Sequence, residues 1–142
     1  MANVHDVAAY ILERQGGMTT MKLQKLVYYS QAWSLVWDGE PLFEDAIEAW
    51  VNGPVVRKVY NAHAGQFRVV TWPNGDSAQL TETQKSTIGL VLSFYGDKDP
   101  YWLSELTHQE RPWKEAREGL GSTERGDKPI SLETMHWYYS SL

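Results

Sequence analysis

The 142-residue chain contains no cysteine. That excludes disulfides, cysteine-ligated zinc, iron–sulfur clusters and thiol nucleophiles. Long apolar runs are also missing. Runs such as Leu90-Val91-Leu92 are a few residues, whereas a bilayer-spanning helix needs about 20. The N-terminus, Met1-Ala2-Asn3-Val4-His5-Asp6, lacks the basic region and apolar block of a signal peptide. Positive charge is scarce: 13 Lys and Arg face 18 Asp and Glu, for a formal net charge of −5. Neutralising phosphates supplies most nucleic-acid affinity, so direct nucleic-acid binding is not expected. Low complexity and internal repeats are absent, and the length suits one domain spanning 1–142 with a core of its own. These features together are those expected of a cytoplasmic protein with no membrane partner.

Aromatic side chains, by contrast, are abundant: 7 Trp, 8 Tyr and 3 Phe. Aromatics bury large areas and also dominate binding hot spots, so they serve an unusually aromatic core, a partner surface, or both.

Helical periodicity and capping residues predict a mainly α fold of six to seven helices with one small β-hairpin. Val4, Val7, Ala8, Ile11 and Leu12 recur at helical spacing between a candidate N-cap, Asn3, and a stop at Gly16-Gly17. Thr19 or Thr20 is placed to cap a longer helix to about Trp37. Asn52-Gly53 signals a turn, and Pro54 suits the first position of a third helix through Val55, Val56, Val59 and Tyr60. The β-branched and aromatic run Phe67–Trp72, followed by Pro73-Asn74-Gly75-Asp76 and Ser77–Leu80, predicts the hairpin. Thr81-Glu82-Thr83-Gln84 reads as a capping box opening a helix to about Tyr95. Asp97 or Asp99 is placed to cap a short helix over Pro100–Leu106, and a further short helix runs from about Arg111 or Pro112 to Glu118. A Gly- and charge-rich loop spans Gly119–Lys128, and a last helix spans Leu132–Tyr139 behind Ser131.

Motifs for chemistry are few. No Gly-x-Gly-x-x-Gly, no phosphate loop and no Gly-x-Ser-x-Gly elbow occurs. His5, His63, His108 and His136 are scattered, with no i, i+4 pair of the kind that ligates zinc on a helix. His108 is a conceivable general base, but no partner for it is visible. No catalytic, metal or cofactor residue is assigned, and an enzyme is not expected. The acidic run Asp38–Glu48, holding Asp38, Glu40, Glu44, Asp45 and Glu48, reads as a solvated face or a docking site for a basic protein. Lys22 and Lys25, three apart with Tyr28 and Tyr29 one turn on, read as lysines whose stems cover apolar surface, or as a contact face. The stretch Glu48–Val56 joins Trp50, a turn and a proline within nine residues, making it either a structural corner or a rigid lip for a partner.

Three blocks, in order, resemble one family. Thr20-Met21-Lys22-Leu23-Gln24-Lys25-Leu26-Val27-Tyr28-Tyr29 is similar to its Lys-Leu-x-Lys-Leu-x-Tyr helix. Gly39-Glu40-Pro41-Leu42-Phe43 followed by Ile47-Glu48-Ala49-Trp50 and Asn52-Gly53-Pro54-Val55-Val56-x-x-Val59-Tyr60 is similar to its Ala-Trp-x-x-Gly-Pro-Val core. Leu103-Ser104-x-x-Thr107-His108-x-Glu110-x-Pro112-Trp113 is similar to its late segment. The family is the Panacea antitoxin domain, also called SocA-like or phage-associated. The resemblance, over about residues 4–140, implies a helical antitoxin that binds a cognate protein toxin directly. Such domains pair with structurally unrelated toxins, and some relatives resemble adaptors that hand the toxin to a protease. A phage-borne interaction module is the remaining reading. Many relatives carry an N-terminal extension; this chain starts almost at the domain, so operator binding is not expected. The family has no established catalytic residues. The anchor region expected here comprises Lys22, Lys25, Tyr28, Trp50, Asn52, Arg57 and Tyr60, with the turn at Asn74-Gly75 and the loop Gly119–Lys128 as the alternative surface.

Overall fold

The computed structural model describes residues 2–142. Among them are seven α-helices, α1 (Val4–Gln15), α2 (Thr20–Trp37), α3 (Arg57–His63), α4 (Glu82–Tyr95), α5 (Pro100–Gln109), α6 (Arg111–Ala116) and α7 (Leu132–Ser140), with short strands β1 (Met18–Thr19), β2 (Ile47–Trp50), β3 (Gly53–Val56) and β4 (Arg68–Val69). The mainly α class is as the periodicity predicts. The caps are too: Asn3 accepts from His5 N–H, Thr19 from Lys22 N–H, Asp99 from Trp102 N–H and Ser131 from Thr134 N–H, and Thr81 with Gln84 forms the full capping box.

Helix α2 is the hub. It packs against α1, α4, α5, α7 and β3, and its buried residues run round every side, from Leu23 through Tyr29 to Leu35. A helix apolar on one stripe lies on a surface, whereas one buried all round lies inside. Lys25 and Tyr28, expected at a partner surface, are therefore interior residues, each 1% exposed. The correction has a simple cause: α1, α4, α5 and α7 close over the face that the sequence left open.

The strands correct a second expectation. Phe67–Leu80 is not a hairpin. Arg68–Val69 pairs antiparallel with Met18–Thr19 instead, joining the two chain segments that flank α2 and α3. Ser77–Gln79 forms one 3-10 turn capped by the Asp76 carboxylate, and Asp76 N–H donates to Asp6 at 2.8 Å. An aspartate that satisfies local backbone in this way competes with strand pairing. The Gly75 turn is accordingly packed against the backbone of His5 rather than projecting. The hairpin lies earlier, where β2 pairs with β3 in the register Ile47↔Val56 to Trp50↔Gly53. Pro54 thus sits in a strand, and α3 starts three residues later than the proline suggests. The cause is Gln24, whose amide accepts from Val56 N–H at 2.9 Å and donates to Val56 C=O, holding the backbone extended where a helix would otherwise begin.

Two buried polar features underlie the interior. Glu110, between α5 and α6, accepts hydrogen bonds from Tyr29 at 2.6 Å and Tyr139 at 2.7 Å, and Tyr139 shares a further bond with Tyr28 at 2.9 Å. One carboxylate so ties α2 to α7. Burial pushes the Glu110 carboxyl up, against the two hydroxyls that favour its ionised form. The second feature is Lys25. Its amine reaches one acceptor, Pro54 C=O, at 3.4 Å, and its stem lies so close to Gly53 (φ 123°) that a Cβ there would stand 2.4 Å from Lys25 Cε. Burial lowers the Lys25 amine to about 7 from 10.5.

Removing the shared acceptor with Glu110→Ala is expected to cost about 3 kcal/mol in urea unfolding at unchanged m value, because two buried hydrogen bonds to a carboxylate are lost and the Tyr29 hydroxyl is left without a partner. Tyr139→Phe, which removes the bonds to Glu110 and Tyr28 but leaves the Tyr29–Glu110 bond in place, is expected to cost less. For Lys25, the folded chain releases its proton near pH 7 and the unfolded chain near 10.5, so the unfolded state binds more protons in between and stability rises with pH. From pH 7 to 9 the expected gain is about 2 kcal/mol. Lys25→Met is expected to be more stable at pH 7 and to lack this slope; a slope unchanged in that variant would refute the assignment.

Candidate functional site

The residues expected at the anchor come together in part. The β2–β3 hairpin presents Trp50, and the first turns of α3 present Arg57 and Tyr60 beside it. Glu48, on β2, fastens the group. Its carboxylate accepts from Trp50 Nε1 at 2.8 Å and from Arg57 at 2.9 and 3.1 Å in a bidentate pair. The Arg57 guanidinium lies 5.1 Å above the Trp50 ring, and Tyr60 meets that ring edge-on at 4.9 Å. Burial works against ionising Glu48, but the hydrogen bonds from Arg57 and Trp50 prevail and hold its carboxyl below the ordinary range. Arg57 is raised in turn by its hydrogen bond to Glu48. The result is a shelf of Trp, Tyr and Arg, with Trp50 and Arg57 tied together by Glu48 and Tyr60 packed against the Trp50 ring. Trp50 is half-buried and Tyr60 is 37% exposed.

Opposite the shelf lies the loop after α6. A groove of about 470 Å³ runs between them, lined by Trp50, Val51, Arg57 and Tyr60 on one side and Arg125, Gly126 and Asp127 on the other. The loop is held along the free edge of β2, where Ala49 N–H donates to Lys128 C=O at 2.8 Å and Ile130 N–H to Ile47 C=O at 2.7 Å. Behind it, the buried Arg117 guanidinium donates to the carbonyls of Ala49 at 3.0 Å, Gly121 at 3.2 Å and Glu124, and lies over the Trp113 ring. Trp113 Nε1 donates to Trp50 C=O at 2.8 Å, so both walls share one support.

The other expected residues lie elsewhere. Asn52 is exposed at the hairpin turn, where its carbonyl accepts from Ser104. Lys22 is half-buried on the first turn of α2 and does not line the groove. Lys25 and Tyr28 are interior, beneath the hairpin and between helices. The acidic run is only partly a solvated face: Glu48 holds Arg57, Asp45 pairs with Lys58 at 3.8 Å, and Asp38 accepts from Thr87. His108 stacks on Trp113 at 4.2 Å; burial lowers its pKa, and its Nε2 is buried without a hydrogen-bond partner. Arg117 was not legible as a site residue, because no sequence pattern marks an arginine that will be buried on backbone carbonyls. Arg125 and Asp127 fell only within the loop noted as an alternative surface.

Among the described residues no helix is long and apolar enough to cross a membrane. No curated protein and no solved structure matches the chain. A family model described as antitoxin SocA-like, Panacea domain, matches residues 23–114, about two thirds of the chain, a span that runs from α2 through the shelf to α6. The chain belongs to the SocA-like, Panacea-domain antitoxin family.

Proposed function

We propose that this protein is the antitoxin of a toxin–antitoxin pair and neutralises a cognate protein toxin by binding it directly at the Trp50–Arg57–Tyr60 groove. The observation that carries the reading is the shelf itself. Trp, Tyr and Arg are the residue types that dominate interface hot spots, and here all three stand together at a surface, ordered by Glu48. Prior ordering reduces what association costs in side-chain entropy. A nanomolar complex needs about 12 kcal/mol, and an interface of about 1,600 Å² with a few such anchors supplies it. The groove is then the centre of a larger contact, with exposed Asn52 on the adjoining lip. Inhibition is steric: the bound domain covers the toxin's active surface. The net charge of −5 speeds encounter with a basic toxin more than it tightens the complex.

Co-expression with the product of the adjacent gene tests this. Growth is expected to be rescued, with a stoichiometric complex recovered on pull-down. Arg57→Ala and Tyr60→Ala are each expected to weaken that complex about tenfold or more while melting within a few degrees of the parent. Rescue with the toxin depleted and no complex would instead indicate hand-over to a protease, and absence of rescue would overturn the reading.

A further inference from the structure

The two walls of the groove differ in how their charges are used. On the shelf, Arg57 is neutralised by the bidentate Glu48. On the loop wall, Arg125 and Asp127 flank Gly126, both exposed and both lining the groove. Neither forms an ion pair or a side-chain hydrogen bond with any described residue; Asp127 contributes only a favourable field at Arg57. An exposed charged side chain on a loose loop is ordinarily just solvated. Here the backbone under the pair is fastened on both sides, by the Arg117 guanidinium on Gly121 and Glu124 and by the Ala49–Lys128 bond on β2. Two opposite charges thus project from a held stretch of backbone, next to an aromatic shelf and with no internal partner among the described residues.

Resting on the groove as the toxin site, we infer that this wall selects which toxin is accepted. Arg125 takes a carboxylate of the toxin and Asp127 takes an ammonium or guanidinium, on either side of an apolar side chain seated against Trp50 and Tyr60. The physical basis is asymmetric. A matched rim pair adds little affinity, but a like-charge pair brought into contact costs heavily, so an ordered plus–minus pair rejects surfaces carrying the reverse order. The shelf supplies affinity and the wall supplies discrimination. Arg117 is the positioning residue: it touches no partner, and it sets where Arg125 and Asp127 stand.

Binding titrations with the toxin recovered by co-expression, inactivated by mutation, test the inference. Arg125→Glu and Asp127→Lys are each expected to weaken the complex tenfold or more with the melting temperature unchanged. Arg125→Ala and Asp127→Ala are expected to weaken it less and to flatten its salt dependence. In an Arg117→Met background that still folds, the Arg125→Glu effect is expected to shrink, because the charge is no longer held in register; a residue that only stabilised the fold would leave the effect additive. Should Arg117→Met not fold, Arg117→Lys serves in its place. Reversal variants that bind as the parent does, while Arg57→Ala fails, would overturn the selective wall and leave the groove as the toxin site. If Arg57→Ala and Tyr60→Ala also bind like the parent in a complex that forms, the groove itself is the wrong surface and the inference falls with it.

Discussion

A helix buried on every side must satisfy its polar side chains on the backbone of its neighbours, and α2 does so with two glutamines. Gln24 engages both the N–H and the C=O of Val56, and Gln31 does the same for Phe43, donating to its carbonyl at 2.9 Å and accepting from its N–H at 3.3 Å, with a further bond from Leu42 N–H at 2.7 Å. An unpaired amide in such a place costs a few kcal/mol, on the order of 1–3, so the chain is driven to bring these segments to α2 in one arrangement. The segment before β2 and the end of β3 are thereby fixed. The hairpin between them has little freedom left, and the groove inherits its geometry from the core.

Lys25 belongs to the same strip of α2 but acts with the opposite sign. Burying its amine under the Pro54 carbonyl destabilises the fold at neutral pH, and Gly53 is the residue that admits it. On the far side of α2, Glu110 is a second buried ionisable group, and there one carboxylate serves two hydroxyls while the rings of Tyr28, Tyr29, Tyr95 and Tyr139 meet edge-on or stacked. The many aromatics of this chain are thus divided. Tyr28, Tyr29 and Tyr139 build the interior, and Trp50 with Tyr60 forms a surface shelf.

Much of the architecture was legible because helices announce themselves locally. Asn3, Thr19, Thr81, Asp99 and Ser131 each cap the helix that their position predicts, since a cap involves only the next three residues. Strands were less legible because pairing is a choice between distant partners. Arg68–Val69 has good strand composition, yet its partner is Met18–Thr19 rather than the residues across the nearby turn. Pro54 is compatible with a helix start, and only the remote Gln24 decides against it. The same limit governs the site. Trp50, Arg57 and Tyr60 lie within eleven residues and could be grouped from sequence, whereas the loop wall depends on Arg117 meeting the carbonyl of Ala49 across 68 residues. Lys25 was misplaced for a related reason: spacing assigns a face to a side chain but does not say which helices will cover it.

The central claim is that the groove between the shelf and the loop wall is where the partner binds. Amide hydrogen exchange of the protein, free and in complex with the toxin proposed for it, tests this. Binding at the groove predicts slowed exchange over residues 50–60 and 121–128, with the core of α2 protected alike in both states. Protection confined to the outer face of α4 and α5, where Leu90, Phe94 and Tyr101 are exposed, with the groove unchanged, would contradict it.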